Sequence, residues 1–371
     1  MMGEMALRYP RRSLVVSTGS YEGSVESDAR LPQVIDRVGI RATRLRTVQG
    51  LALWTWRAGA LAKRWRPGFA WCAELKPAGY PARWLRARHH VPYGVVVHGT
   101  ELLLIQEKIQ RSRFKRGTAG AIIGNASVIV ANSNWTANLA LDVLTALDVV
   151  VPVETVPLGT TPSQFQPGLD ASAVRAKYGL TDGTGPWLLT VARVESHKGI
   201  DTVIKAMTHV RAQHPTARYA VAGTGQRLAD FERLRDALGL GDAVRFLGSV
   251  ADAELPALYN AADLYVGASR RVEGLVEGFG ISFVEAAASG LAVVGGRSGG
   301  VPEALSDGET GILVDPDDPA AVAAGINELL GNPERRKQFG VAGRKAVETY
   351  YNWDRVVREM MEIDQRYSAV M

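Results

Sequence analysis

Two carboxylates, Glu277 and Glu285, stand eight positions apart with Gly278 and Gly280 between them. Ile281, Phe283 and Val284 open a helical pattern that runs through three alanines to a stop at Gly290. Glu277 is therefore expected in the loop before a short helix, and Glu285 in its second turn. Glycines over the mouth of that helix leave its free N–H groups open. A phosphate there would meet the positive end of the helix dipole. The two carboxylates would flank it and accept hydrogen bonds from hydroxyls on either side, which is the layout of a nucleotide sugar. The same stretch also suits an ordinary strand-to-helix turn with two solvated acids, so its neighbours must decide.

Two cations point the same way. Arg193 and Lys198 lie five apart in one loop, and Lys198-Gly199 immediately precedes a helical pattern. Arginine grips phosphate oxygens in bidentate fashion, and lysine acts as a point charge. This loop and the Glu277 loop are both expected at the C-terminal edge of one parallel sheet, where both could reach one diphosphate. Neutralising a leaving diphosphate is the main electrostatic task when a sugar–phosphate bond breaks. His98 ends another predicted strand, ahead of Gly99-Thr100-Glu101, where a parallel strand delivers a residue to a crevice. Ser133 suits a helix N-cap that would face the same crevice.

These residues need a scaffold that brings strand ends together. In the first half, strands are expected over 13–17, 42–45, 69–73, 94–98 and 128–131, with a helix over 25–38. Residues 157–168 hold three prolines and two glycines and read as a linker. Beyond it, strands at 187–192, 218–222, 244–247, 262–266, 291–294 and 312–314 alternate with helical patterns that include 200–214 and 318–330. A helix over 354–368 closes the chain. Such alternation implies a parallel sheet covered on both faces. The reading is an α/β chain of two doubly wound, Rossmann-like parallel-sheet domains, 1–160 and 161–350, facing a central cleft. A C-terminal helical segment, 351–371, is expected to pack back on the first domain.

Composition narrows the setting. The chain of 371 residues is 46% hydrophobic and 22% charged, which suits two globular domains. No apolar run is long enough to span a bilayer, and the N-terminus lacks a secretory signal layout. Cys72 is the only cysteine, which excludes an intrachain disulfide, and no Cys/His spacing resembles a zinc site. A cytoplasmic protein is expected. The net charge of +5 hides an asymmetry, because residues 1–150 carry 21 Lys and Arg against 10 Asp and Glu. A basic first half suggests an anionic partner. Five of the eight tryptophans, Trp54, Trp56, Trp65, Trp71 and Trp84, fall among the bases of residues 51–90. That mixture suits the headgroup region of an anionic membrane. Alternatively, Trp54, Leu61 and Trp65 face the core while the bases face water. Nucleic acid is not expected, since no motif accompanies the basic and aromatic residues.

Taken with these motifs, the chain resembles the retaining glycosyltransferases of GT-B fold, the glycosyl transferases group 1 or family 4. The resemblance rests in the second half on the Arg193…Lys198-Gly199 loop, Gly223-Thr224-Gly225, Phe246-Leu247-Gly248, the Glu277…Glu285 pair, Gly299-Gly300-Val301-Pro302-Glu303 and Asp307-Gly308. In the first half it rests on residues 97–101, 131–133 and 156–159. It implies that Arg193 and Lys198 hold the donor diphosphate, that Glu285 binds the ribose hydroxyls, and that Glu277 binds hydroxyls of the transferred sugar. Phe279, Gly280, Gly223, Val250 and Ser133 would complete the donor site, the base being read by backbone near Gly248 to Val250. His98 would approach the sugar from the other domain, with Gly19 and Glu101 on the acceptor and phosphate side. The usual Gly-Gly pair after the first strand is spread here as Gly19 and Gly23. The resemblance further implies retention of anomeric configuration, no metal, and no cofactor beyond a UDP-, GDP- or ADP-linked sugar as co-substrate. The expected activity is hexosyl transfer to a lipid-linked or glycan acceptor. The alternatives are a small soluble acceptor and a catalytically inactive nucleotide-sugar-binding protein.

Overall fold

The computed structural model describes residues 2–181 and 185–368. It divides the chain into two compact units. One is the chain up to Val156 together with the stretch from Trp353 onward; the other is Pro157–Asn352.

The second unit is built on six parallel strands: β7 (Trp187–Val191), β8 (Arg218–Ala222), β9 (Val244–Gly248), β10 (Leu264–Gly267), β11 (Val293–Gly296) and β12 (Gly311–Val314). Their order is β12-β11-β10-β7-β8-β9. Successive strand residues point to opposite faces. On one face Leu188, Tyr219, Val221, Val266 and Val294 pack with Val203, Met207 and Val210 of helix Ile200–Gln213 and with Val322, Ile326 and Leu329 of helix Pro319–Gly331. Each such side chain contributes about 1.5–3 kcal/mol by leaving water. On the other face Tyr265 meets Phe283 edge-on, ring centres 5.3 Å apart, which seats helix Ile281–Ala288. The sheet order reverses direction beside β7, so the loops after β7 and β10 open next to each other at the C-terminal edge.

The first unit holds two sheets. A four-stranded parallel sheet has the order β3 (Ala70–Cys72), β4 (Tyr93–Val97), β5 (Val128–Ala131), β6 (Val153–Thr155). Apart from it, β1 (Val15–Ser20) pairs in parallel with β2 (Val34–Arg41). The expected helix over 25–38 is thus cut short: helix covers Ser24–Asp28 only, and from Val34 the chain is strand. Pro32 disfavours helical backbone at Leu31, and the β-branched Val34, Ile35 and Val38 suit a strand better. The short strand expected over 42–45 is instead a 3-10 turn, Ala42–Arg46. Thr47 then caps helix Val48–Trp65, its hydroxyl accepting from the Gly50 N–H at 3.1 Å.

Helix Trp353–Tyr367 belongs to this first unit. Tyr9 donates to Asp364 at 2.8 Å, and Arg366 reaches Glu154 at 2.5 Å. Residues 369–371 of the segment read as a closing helix lie outside the described residues. Among the described residues no helix is long and apolar enough to cross a membrane.

Candidate active site

The loop after β7 is fixed by glycines on its neighbours. A Cβ on Gly223 would lie 1.9 Å from the Ala192 carbonyl oxygen, and one on Gly225 would lie 2.2 Å from that of Val194. These absent side chains let the loops after β7 and β8 nest, and the Val194 N–H donates to the Thr224 carbonyl at 3.0 Å. Gly199 has a φ of +65°, and its Cβ would stand 1.7 Å from the carbonyl oxygen of Ala268, just past β10. Only glycine permits that approach. The Arg270 N–H donates to the His197 carbonyl at 2.8 Å and ties the same two loops again.

The consequence is a direct ion pair. Lys198 Nζ lies 2.5 Å from Glu277 Oε2, with both side chains mostly buried at 15% and 17% exposure. The Glu277 backbone is held from its far side. Its carbonyl accepts from Gly300 N–H at 2.9 Å, and side chains on Gly299 or Gly300 would strike the carbonyls of Glu277 and Gly278. Gly280, with φ +99°, turns the chain into helix Ile281–Ala288. The helix ends where Gly290, at φ +80°, lets its own N–H reach the Ala287 carbonyl at 3.0 Å.

Glu285 sits in the second turn of that helix in a different setting. Its Oε2 accepts from the Tyr259 hydroxyl at 2.8 Å, and no cation pairs with it among the described residues. Burial pushes its carboxyl up to about 7, and Asp252 adds to the rise, while the Tyr259 hydrogen bond works against both. His197 is buried, and burial together with the Lys198 and Arg193 charges holds its imidazole down to about 4, so it is neutral at physiological pH. Arg193 is exposed and makes no ion pair among the described residues. It stands in the same loop with its guanidinium uncommitted.

The remaining donor-side residues divide by what their side chains do. Val250 follows β9, whose Gly248 carbonyl accepts from Gly223 N–H at 2.8 Å, so backbone at 248–250 shares the sheet edge with the Arg193 loop. Phe279 can face a ligand only with its backbone. Its ring is 1% exposed and lies 6.1 Å from Tyr351, so its side chain is core and only its backbone is left for a ligand.

In the first unit, His98 follows β4, and its N–H donates to the Glu101 carboxylate. Glu101 is thereby engaged at the start of helix Thr100–Arg111. Desolvation holds the His98 imidazole below its ordinary range, and the Glu101 carboxylate opposes this. Ser133 is fully buried as the cap of helix Asn134–Leu147, accepting from Thr136 N–H at 3.0 Å. The cap satisfies an N–H that the helix would otherwise leave free. At Gly19 a Cβ would lie 2.5 Å from Ala42 Cα, so the missing side chain makes room for the 3-10 turn. Glu277, Lys198, Gly280 and Glu285 thus come together around two adjoining loops of the second unit. His98 and Glu101 form a separate group on the first.

Tyr259 was not singled out by sequence. It ends helix Leu255–Asn260 as one tyrosine in an apolar run, and nothing in its spacing marks the carboxyl it meets. Gly299 and Gly300 were seen only as part of a motif, with no hint that they cradle the Glu277 backbone.

Residues 172–346 match the family model described as glycosyl transferases group 1. Over 289 residues the chain is 34% identical to a GDP-mannose-dependent alpha-(1-6)-phosphatidylinositol monomannoside mannosyltransferase of Mycolicibacterium smegmatis, covering 77% of this chain and 72% of that protein. It is 32% identical over 255 residues to a D-inositol 3-phosphate glycosyltransferase of Acidothermus cellulolyticus, spanning 65% of this chain and about half (55%) of that relative. In fold it is similar to HepE of Anabaena in complex with UDP, with a TM-score of 0.79, 18% identity, and coverage of 98% of this chain and 95% of that one.

Proposed function

The chain belongs to the glycosyl transferases group 1, and from that premise we propose that it moves a hexosyl group from a nucleoside diphosphate sugar to a lipid-linked acceptor, with retention and without a metal. The observation that carries this reading is the Lys198–Glu277 pair at the sheet edge, with Glu285 in the second turn of the helix that follows. In this reading Lys198 and the uncommitted Arg193 hold the diphosphate. They supply the charge that a divalent ion supplies elsewhere. Glu285 accepts from the ribose hydroxyls, and Glu277, oriented by Lys198, accepts from hydroxyls of the sugar. His98 is assigned to the reacting sugar on its motif. The sugar C1–O bond to the diphosphate breaks, and the acceptor oxygen bonds to C1 from the same face. The acceptor proton passes to the departing phosphate oxygen, and a nucleoside diphosphate leaves.

The relatives' names make GDP-mannose and an inositol phospholipid the first donor and acceptor to try. The surface of the first unit favours a lipid setting. On helix Val48–Trp65, Trp56 is 67% exposed on one face with Leu53, Lys63 and Arg64. Phe114, 80% exposed, opens helix Arg113–Ile123 among Arg111, Arg113, Lys115 and Arg116. Apolar side chains ringed by bases suit an anionic leaflet. Trp54, by contrast, turns inward and donates to Ser17 at 3.0 Å. A soluble acceptor such as an inositol phosphate is the second reading, favoured by the D-inositol 3-phosphate relative.

The test is a transfer assay with purified protein, chelator present. GDP-mannose, UDP-glucose and ADP-glucose are offered as donors, with phosphatidylinositol vesicles or inositol phosphate as acceptors. The anomeric coupling constant of the product is read by NMR. Transfer to the vesicles with an α linkage is expected. Loss of turnover with chelator, an inverted product, or no transfer from any donor would each overturn the corresponding part. Trp56→Ser with Phe114→Ser is expected to weaken sedimentation with phosphatidylglycerol vesicles while leaving donor affinity unchanged.

A further inference from the structure

Glu285 depends on one neutral hydroxyl for its orientation, and that hydroxyl is itself held by a chain of contacts. Tyr259 is fully buried. The ring of Phe165 meets it edge-on, with centres 5.8 Å apart, and Tyr265 packs beside it at 6.0 Å. Phe165 lies in the Pro/Gly-rich stretch that opens the second unit. Arg344 of helix Pro333–Thr349 fixes this stretch: its Nη1 lies 2.6 Å from the Phe165 carbonyl oxygen, 2.9 Å from that of Pro162 and 2.7 Å from that of Ala288. Ala288 is the last residue of the helix that carries Glu285. One guanidinium therefore ties the end of the Glu285 helix to the segment that wedges Tyr259. Asn260, next to Tyr259, grips the same segment, donating to the Gln166 carbonyl at 2.9 Å and accepting from Leu169 N–H at 3.2 Å.

We propose that Tyr259, backed by Phe165 and Arg344, is a positioning residue that aims the Glu285 carboxyl at the ribose of the donor. The proposal rests on the reading of Glu285 as the ribose contact. A carboxyl whose plane is set before the ligand arrives accepts from two neighbouring hydroxyls at a smaller ordering cost. The Tyr259 hydroxyl takes one lone pair on Oε2 and leaves Oε1 and the remaining lone pairs for the ligand. The ring wedge prevents the hydroxyl from swinging away. Aim of this kind should show as discrimination between ribose and deoxyribose, which a role in folding alone would leave unchanged.

The experiment measures binding of GDP and UDP against their 2′-deoxy and 3′-deoxy forms, and the donor KM and kcat, in the full chain. Glu285→Gln, Tyr259→Phe and Arg344→Ala are compared, with Arg344→Lys as the conservative partner. Tyr259→Phe removes one oxygen and keeps the ring. It is expected to raise the donor KM about tenfold, the size of one lost hydrogen bond to a charged group, with little change in kcat. The preference for ribose should shrink with it. Arg344→Ala should move both values the same way by less, with partial recovery in Arg344→Lys. If Glu285→Gln abolishes the ribose preference while Tyr259→Phe retains it in full, the positioning role is wrong and the ribose reading stands. If Glu285→Gln itself leaves the preference intact, the ribose reading fails and takes the proposal with it.

Discussion

Glu277 and Glu285 are the same residue type, eight positions apart, in opposite surroundings. Glu277 lies on a loop against a cation, 2.5 Å from Lys198 Nζ. Glu285 lies on a helix against a neutral hydroxyl, and burial lifts its carboxyl to about 7. Environment, not residue type, sets what a carboxyl can do. A carboxylate paired with lysine is oriented before any ligand arrives and can share that lysine with a phosphate. A carboxyl poised near neutrality becomes a good acceptor only when hydroxyl donors stabilise its charged form. In the proposed reading the site pairs one preset contact with one conditional contact.

The contrast is sharpest at Lys198. Lys198→Ala should cost nucleoside diphosphate binding about 1.5–3 kcal/mol, because a charged contact is lost and Glu277 is left partly buried without its cation. Titration calorimetry with GDP and UDP checks this, and unchanged affinity would remove the phosphate assignment. Arg193→Ala probes the same phosphate from an exposed position. It should cost binding about 1.5 kcal/mol, the low end for a charged hydrogen bond, and leave the unfolding midpoint where it was. A clear fall in that midpoint would erase the distinction between a cation built into the loop and one held in reserve.

The smallest effect concerns the conditional carboxyl. Glu285 titrates near 7 in the fold and near the ordinary carboxylate value when unfolded, so the fold holds its proton more tightly. Its contribution to stability is fully present below the unfolded value and is lost as pH rises toward 7. Donor hydroxyls favour the charged form, so affinity runs the other way. GDP or UDP should bind more tightly as pH rises toward 7, by at most about tenfold per unit. Glu285→Gln should flatten both profiles. A wild-type affinity that is level from pH 6 to 8 would show that the two carboxyls are not so different.

Much of the second unit is legible in the sequence because its strands are short apolar runs punctuated by glycine. Arg218–Ala222 matches the predicted strand residue for residue, and β7 and β9 to within one. The Glu277 loop, the helix after it and the Gly290 stop are where spacing puts them. The first unit is less readable. Val34–Arg41 interleaves Asp36 and Arg37 with β-branched residues, so its charges read as a helix face. In the fold these charges have partners elsewhere, with Asp28 bonded to Arg37 at 2.9 Å and Arg57 meeting Asp36. The 3-10 turn that Gly19 makes room for was equally hidden, since a glycine beside a turn looks like any other in sequence. Tyr259 was out of reach because its partner lies across a helix and a strand from it.

One feature of connectivity bears on how the protein is made. Helix Trp353–Tyr367 completes the first unit, yet it follows the whole of Pro157–Asn352 along the chain. On a ribosome, the later-encoded unit has all its strands before the earlier one has its last helix. The early unit must wait, with Tyr9 and Glu154 lacking their partners from that helix, while its successor is free to fold. A released chain truncated just short of Trp353 would hold every residue of Pro157–Asn352 and lack the helix that completes the first unit.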